Sequence, residues 1–328
     1  MKAIQFSQFG GPEVLEYVEV PKPVPQAGEV LIDVVAAGVN FLDAQQRAGV
    51  FQLGAVELPR IPGVQVVGTV SQVGESADPS LLGRRVMALS KGGGYAQYAL
   101  TRPVFAVPLP ASANETEMAA LPDQGVSAWL MLKASTELRP GESVLVHGAA
   151  GGVGSLAIQI AKALGAGLVV ATAGTQEKRA FAKSLGADVA IDYEDGNWPQ
   201  AVLECTDGRG VDIILESIGG DVFARNFECL APQGRVILFG STRGSYQPFP
   251  ALRLMAKSQT LTGLFFAFPF LGRPALVREA LQFLVDHALD GSVRPQVAKT
   301  LPLSQAAESH RLLEGRKVKG VIVLDVRA

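Results

Sequence analysis

The stretch Val144-Leu-Val-His-Gly-Ala-Ala-Gly-Gly-Val-Gly154 carries the residue types of an anion cradle. Gly151 and Gly152 present no side chain, so backbone there can approach a phosphate closely. A helix starting at these glycines offers first-turn N–H groups that have no intrahelical partner. Its aligned peptide dipoles add about half a positive charge at the same end. The flanks supply the strand and helix that such a cradle needs. Val144 to Val146 reads as a short buried strand after Pro140-Gly141. Val153, Leu156, Ala157, Ile160, Ala161 and Leu164 share one helical face, and Gly165 stands where a helix should stop. Gly154 lets helix and strand pack closely, as the third glycine of a dinucleotide fingerprint does. The first position is Ala149, so the pattern reads Ala-x-Gly-x-x-Gly. A tight turn with no ligand is the plain alternative, and the strand–helix context favours the phosphate.

Leu168 to Thr172 reads as the second strand, and the residues just past its end select between pyridine dinucleotides. An NAD site places Asp or Glu on the ribose hydroxyls about 20 residues past the glycines. This chain has Ala173-Gly174-Thr175 there, with Lys178 and Arg179 in the first turn of the next helix. A missing carboxylate removes repulsion against a 2′-phosphate, and a nearby cation attracts it. NADP(H) is therefore the expected cofactor. The bland reading makes Lys178 and Arg179 a solvated helix face and Thr175 a helix N-cap.

Bulk properties narrow the classes. With 328 residues there is room for two domains, and 48% hydrophobic against 18% charged residues is the balance of a globular chain. A net charge of −2 with no basic block disfavours nucleic acid as a partner. The N-terminal residues lack a signal-peptide core, and the most hydrophobic window, Leu261 to Leu271, is too short and too broken by Gly and Pro to span a bilayer. Cys205 and Cys229 are the only cysteines and imply no disulfide framework. No membrane association and a cytoplasmic location are expected.

From Met1 to about Ala120, short β runs are broken by Gly and Pro. Glu29–Gly38, Gly63–Gly74, Gly83–Leu89 and Tyr95–Leu100 read as strands of an antiparallel, partly closed β domain. A helix is expected over Asn40–Ala48, and another from Glu115 through Trp129. From Glu142 onward the pattern changes. Strand runs at Val144–His147, Leu168–Thr172, Val189–Ile191, Val211–Glu216, Arg235–Gly240 and Thr260–Phe266 alternate with helices. That alternation predicts a doubly wound parallel sheet of six strands. Helices near Ala275–Ala288 and Gln305–Glu314 come next, the latter with Ser304 as N-cap. A last strand, Gly320–Val326, returns to the first domain. The apolar strand 260–266 should lie at a sheet edge, and pairing with its symmetry mate there would give a homodimer.

Taken together, these segments resemble the medium-chain dehydrogenase/reductase superfamily, and within it the zinc-independent quinone oxidoreductases and zeta-crystallin. The resemblance covers essentially the whole chain. It is carried by Ala37-Gly-Val-Asn-Phe-Leu-Asp43, Val146–Gly154, Leu185-Gly-Ala-Asp188 through Asp192-Tyr193, Gly234–Gly240 and Lys319-Gly-Val-Ile-Val. It implies an α/β fold: a Rossmann NADP(H)-binding domain over 122–267, and a GroES-like partly closed β-barrel domain over 1–121 and 268–328. Alcohol dehydrogenases of this superfamily hold zinc with Cys near Asn40 and Gly-His-Glu near Gly63. This chain reads Val39-Asn40 and Gly63-Val-Gln65, and His147, His287 and His310 fall in no ligand spacing. No metal is expected.

The resemblance also implies site residues. Asn40 and Asp43 lie near the nicotinamide as positioning groups, with Phe41, Gln45, Phe265 and Phe268 around the substrate. Gly151, Gly152 and Val153 hold the pyrophosphate, and Lys178 and Tyr193, with Gly174 or Thr175, surround the 2′-phosphate. Ser241 and Phe265 approach the nicotinamide ribose or amide, and Arg316 reaches the cofactor phosphates. Plain readings stand beside these. Asn40 and Asp43 could only cap a helix, Tyr193 could be a surface residue, Phe265, Phe266, Phe268 and Phe270 could be core or dimer contacts, and Arg316 could sit in a solvated turn. Two positions depart from the family pattern: Gln45 replaces a common Tyr, and Gln65 replaces a common acid.

Acceptors that hold charge by delocalisation need no Lewis acid. The expected activity is hydride transfer from NADPH to quinones or α,β-unsaturated carbonyl compounds, with the substrate between the domains. An enoyl-thioester reductase, or an NADPH-binding sensor or structural protein without turnover, is the alternative.

Overall fold

The computed structural model describes residues 1–50, 57–244, 246, 248–265 and 272–328. In chain order, β1 (Lys2–Gln5) and β2 (Glu16–Glu19) form a small antiparallel pair. Then come β3 (Val30–Gly38), α1 (Phe41–Ala48), β4 (Gln65–Val73), β5 (Arg85–Leu89), β6 (Tyr98–Thr101) and β7 (Ala106–Pro108). The chain continues through α2 (Glu115–Ala119) and α3 (Pro122–Trp129) into a π-helical turn, Leu130–Ser135. Next are β8 (Ser143–Val146), α4 (Gly152–Ala163), β9 (Leu168–Thr172), α5 (Gln176–Ser184), β10 (Val189–Ile191) and α6 (Trp198–Glu204). They are succeeded by β11 (Val211–Glu216), α7 (Gly220–Arg225), β12 (Leu230–Leu238) and β13 (Thr260–Gly263). The last elements are α8 (Pro274–Leu289), β14 (Val297–Pro302), α9 (Ala306–Glu314) and β15 (Val321–Asp325).

Two compact units result: Met1–Val126 with Gly272–Gly291 and Pro295–Ala328, and Ser127–Leu271 with Ser292–Arg294. In the first, a seven-stranded sheet runs β14-β15-β3-β4-β5-β7, with β6 also on β3. The middle strand β3 is apolar apart from Asp33; one edge carries β4 while the other is shared by β6 near Val30–Asp33 and β15 near Ala36–Gly38. Ile4, Phe6, Val30, Ile32, Val66, Tyr95, Ile322 and Leu324 fill its core. The returning strand β15 thus belongs to this unit, as its apolar run suggests.

In the second unit six parallel strands run β10-β9-β8-β11-β12-β13. The order is the doubly wound one, in which the winding reverses between β8 and β11 and leaves a crevice at the strand C-termini. Leu145, Val170, Ile214, Val236 and Trp198 form its core. Among the described residues no helix is long and apolar enough to cross a membrane.

Several expectations need correction. The single helix expected from Glu115 to Trp129 is two helices, because Pro122 has no N–H to continue the first and takes the first turn of the second. The fifth strand begins at Leu230 rather than Arg235. Ser304 is not a helix cap: Leu303–Gln305 is a 3₁₀ turn, and Gln305 holds the N-cap position of α9. The sixth strand ends at Gly263, and Phe266, Phe268 and Phe270 lie outside the described residues. The short strands β1, β2, β7 and β14 were not foreseen.

The tightest main-chain approach at the nucleotide turn is at Gly154. A Cβ there would stand 2.4 Å from the Gly148 carbonyl oxygen and 2.8 Å from Ala149 Cα, both backbone atoms that cannot swing aside. Gly154→Ala is expected to cost about 1–3 kcal/mol and to lower the calorimetric midpoint by several degrees. An unchanged midpoint would show that α4 can lift off β8 freely.

Candidate functional site

In the second unit, β8 runs through His147 into Gly148, whose φ of 60° is left-handed. The position needing glycine is thus one residue before Ala149, which explains why alanine is accepted at the first place of the fingerprint. Ala149 is fully buried, and its N–H donates to the Thr172 carbonyl at the end of β9 (3.1 Å). Gly151 is exposed and forms the N-cap of α4 with no side chain capping it. Its neighbours Gly152 and Val153 are half-buried. A twelve-residue helix thus presents its first-turn N–H groups without a competing cap, which suits an anion such as a pyrophosphate.

At the end of β9, Gly174 is followed by Thr175, whose hydroxyl accepts the Lys178 N–H (3.3 Å) as the N-cap of α5. A Cβ at Gly174 would lie 3.4 Å from the Tyr193 hydroxyl, so Tyr193 lines the space over this glycine. Arg179 turns away from that space: its Nη1 donates to the Ala173 carbonyl (3.1 Å) and to Asp192 (2.6 Å). A cation absent from the sequence reading takes its place. The Arg243 guanidinium sits 5.1 Å from the Tyr193 ring centroid, paired with Glu194 and 3.5 Å from Asp221. It reaches there because the loop after β12 is zipped to the loop after β11, with Thr242 N–H on Ser217 O (3.0 Å) and Arg243 N–H on Ile218 O (2.8 Å). Ser241 lies in the same loop against Gly219, and its hydroxyl oxygen is buried without a hydrogen-bond partner. Phe265 is half-buried just past β13.

Beneath these loops lies a fully buried chain of polar side chains. Glu216 accepts from the N–H groups of Ile218 (2.5 Å) and Gly219 (2.8 Å), and from the Asn226 amide. Because the Asn226 amide nitrogen donates to Glu216, its oxygen must accept from His147 Nε2 (2.7 Å). The ring's Nδ1 lies in hydrogen-bond contact with the Thr172 hydroxyl (2.7 Å). His147, scattered in sequence, thus joins the ends of β8 and β9 to the loop after β11.

In the first unit, Asn40 is the N-cap of α1: its side-chain oxygen accepts the Leu42 N–H (3.2 Å), and Asp43 accepts the Asn40 N–H (3.0 Å). Both residues cap the helix. Asp43 does more, because it is buried and also takes the Tyr95 hydroxyl (2.9 Å), which lies 3.4 Å from His310 Nε2. Burial pushes the Asp43 carboxyl up to about 6, against the pull of the Asn40 N–H, the Tyr95 hydroxyl, the Gly63 N–H and the Arg60 charge. Burial and then the Arg47 charge bring His310 down to about 3, so it is neutral at pH 7. Arg47 is itself buried and pairs with Glu314. Phe41 is exposed at the start of α1, and Gln45 is half-buried on it. Arg316 stands just beyond α9 with a left-handed φ of 52°. Among the described residues no group of three or more His, Cys, Asp or Glu could hold a metal ion.

Comparison with known proteins places this geometry. The model described as zinc-binding dehydrogenase matches residues 152–286, and that described as alcohol dehydrogenase GroES-like domain matches 26–111. A quinone oxidoreductase of Pseudomonas aeruginosa is 35% identical, covering 98% of this chain and 99% of its own. The chain belongs to the medium-chain dehydrogenase/reductase family, in its quinone oxidoreductase-like group. A 2-haloacrylate reductase from a Burkholderia species is 33% identical over 96% of both chains. The Escherichia coli quinone oxidoreductase, solved in complex with NADPH, superposes with a TM-score of 0.91 at 31% identity, over 99% of this chain and 100% of that one.

Within this family member, the structure brings Gly174, Tyr193 and Thr175 together in the second unit, and Asn40 and Asp43 together in the first. Arg243 was missed, although Ser241-Thr-Arg-Gly after an apolar strand was a visible cue. Tyr95 and His310 were missed because no spacing links residues so distant in sequence.

Asp43 binds its proton more tightly folded than unfolded, since its pKa rises from 3.8 to about 6. Its contribution is therefore most favourable below pH 4, and roughly 3 kcal/mol is lost as pH rises from about 4 to 6. The melting midpoint of Asp43→Asn relative to the unsubstituted protein should accordingly rise between pH 4.5 and pH 7. A pH-independent offset would contradict this.

Proposed function

We propose that the protein is an NADPH-dependent reductase of quinones or α,β-unsaturated carbonyl compounds that works without a metal ion. The observation that carries it is the end of β9: Ala173-Gly174-Thr175 carries no carboxylate of its own, while Gly174 leaves room beside Tyr193 and the Arg243 guanidinium, whose half-exposed partner Glu194 also borders that space. A 2′-phosphate fits that chemistry, since a guanidinium offers forked charge-assisted donors. The uncapped α4 fits the pyrophosphate through Gly151, Gly152 and Val153. Bound there, the cofactor supplies a hydride.

Everything else falls to the chain. Tyr193 and Arg243, with Lys178, orient the adenosine end, and Ser241 and Phe265 border the nicotinamide end. Arg316 adds charge for the phosphates. Asn40 and Asp43 hold the start of α1 in one geometry, so that Phe41 and Gln45 present a fixed wall to the acceptor. The positions that would carry metal ligands offer amides, Asn40 and Gln65, which are poor zinc ligands beside thiolate and imidazole. Acceptors that spread the incoming charge over a conjugated system suit such a site. The names of the Pseudomonas and Burkholderia relatives favour the same classes.

A homodimer through β13 belongs to this reading. Among the described residues β13 pairs only with β12, and Leu252 and Met255 stand 75% and 74% exposed just before it. An open strand edge flanked by exposed apolar side chains is normally covered. Light scattering after size exclusion is expected to give twice the chain mass, and a monomer at micromolar concentration would remove the dimer.

NADPH oxidation against a panel of quinones, enones and 2-haloacrylates is expected to reveal turnover of at least one class. Silence across the panel would reject the reading. For the cofactor, Lys178→Glu and Arg243→Ala should each raise the NADPH dissociation constant by about tenfold or more with little change for NADH, as expected for a lost charge-assisted contact. Equal losses for both would show that neither side chain reads the phosphate.

A further inference from the structure

Beside Asn40 the first unit holds a second polar group that the helix cap does not use. Asp123, in the first turn of α3, is 5% exposed, Gln65 in β4 is 0% and Gln124 is 4%. The Asp123 N–H donates to Gln65 Oε1 (2.9 Å), and the Gln124 amide donates to the Val39 carbonyl (3.3 Å), the residue before Asn40. Gly38 makes space for this, since a Cβ there would meet Gln65 Nε2 at 2.2 Å. After these bonds are counted, three buried atoms have no protein partner: Asp123 Oδ1, Gln65 Nε2 and Gln124 Oε1. A lone unsatisfied group of this kind costs about 1–3 kcal/mol, so three on adjoining side chains call for something polar to complete them.

We propose that Asp123 is the general acid of the reaction, its carboxyl O–H giving a proton to the carbonyl oxygen of an acceptor held against Gln65 and Gln124. The proposal rests on the reductase reading above and names the proton source that reading lacks. The donor count fits. A carbonyl oxygen has two lone pairs, and the Gln65 amide and the Asp123 hydroxyl are two buried donors with no protein partner, the number needed to meet the negative charge that develops on it. Gln124 Oε1 remains to accept from the enol or hydroquinone hydroxyl that forms.

The electrostatics keep the proton in place at rest. Burial, then the charge of Asp43, pushes the Asp123 carboxyl up to about 8, and no cation offsets them. The charged groups nearby serve Asp43 instead: Arg60 acts on it directly, while Arg47, paired with Glu314, faces the neutral His310. A carboxylic acid held neutral at pH 7 by an apolar site can donate a hydrogen bond and then its proton.

For an enone, atoms and electrons balance. The β-carbon gains the hydride, the C=C pair shifts between the α-carbon and the carbonyl carbon, and the C=O π pair passes to oxygen. The Asp123 O–H bond breaks, its electron pair stays on the carboxylate, and the proton completes the enol. The enol then isomerises to the saturated ketone, the carboxylate regains a proton from water, and the cofactor leaves oxidised by two electrons.

Asp123→Asn keeps the shape and removes the proton. Against an enone accepted by the unsubstituted enzyme, its kcat is expected to fall by on the order of 100-fold or more. The loss of kcat above pH 8 expected of the unsubstituted enzyme should be absent in the variant, and the NADPH dissociation constant from fluorescence titration should stay within about twofold, as for any residue that does not touch the cofactor. Independently of turnover and of how the variant folds, infrared spectra of the unsubstituted protein should show a protonated carboxyl band that titrates near pH 8. A variant with undiminished kcat and the same alkaline limb, or a chain with no carboxyl band above pH 6, overturns the proposal alone. An unsubstituted protein that reduces no acceptor at all overturns the reductase reading and this proposal with it.

Discussion

Gly154 lets the backbone of α4 lie against Gly148 and Ala149 at a distance that no side chain permits. This one approach sets the direction in which the first turn of α4 points. With Gly151 uncapped, the free N–H groups open at the C-terminal end of β8. There the strand order reverses between β8 and β11, so connections leave on opposite faces and a crevice opens. A helix tilted away by a bulkier residue would aim the same N–H groups elsewhere, and the dipole's effect falls off within the first turn. The anion site proposed at this turn thus depends on packing before it depends on electrostatics.

The two units handle buried polarity in opposite ways. Under the nucleotide loops, Glu216, Asn226, His147 and Thr172 form a chain in which each donor has an acceptor. Such a network is rigid, because rotating any one member strands another in a medium of low dielectric. It fixes the loop that carries Gly219 and, through Thr242 and Arg243, the loop after β12. Near Asn40 the pairing is incomplete. Asp43 and Tyr95 satisfy each other, while Asp123, Gln65 and Gln124 retain open valences. The complete cluster is suited to holding backbone still, and the incomplete one to meeting a ligand.

Much of the architecture was legible, for reasons that are local. The strands of the parallel sheet are short apolar runs bounded by glycine, and Leu168–Thr172, Val189–Ile191 and Val211–Glu216 were placed to the residue. α1 announced itself through Asn40 and Asp43, which form its capping box, and the structure adds Gly49 as its left-handed stop. The break before Pro122 was also written in the sequence, but the hydrophobic period on either side obscured it. β1, β2, β7 and β14 were not legible, since strands of three to six residues hold register through partners far along the chain. The same holds for the site. A phosphate turn is eleven contiguous residues, whereas Asp123 meets Gln65 across 58 positions and Tyr95 meets His310 across 215.

Residue type and spacing could say that cations stand after the second strand, but not which of them is already engaged. Arg179 is held by a main-chain carbonyl and by Asp192 at 2.6 Å, and releasing it would leave the Ala173 oxygen and a carboxylate without their donor. Arg243 is engaged differently. Its partners, Glu194 and Asp221, are more than half exposed, and exposed ion pairs contribute about 1 kcal/mol or less. Both carboxylates can return to water when the guanidinium turns to a phosphate dianion, which offers it more charge and more acceptors. Of the two, Arg243 is the cation proposed to read the 2′-phosphate because its resting partners are cheap to leave, and exposure, invisible in the sequence, is what makes them so.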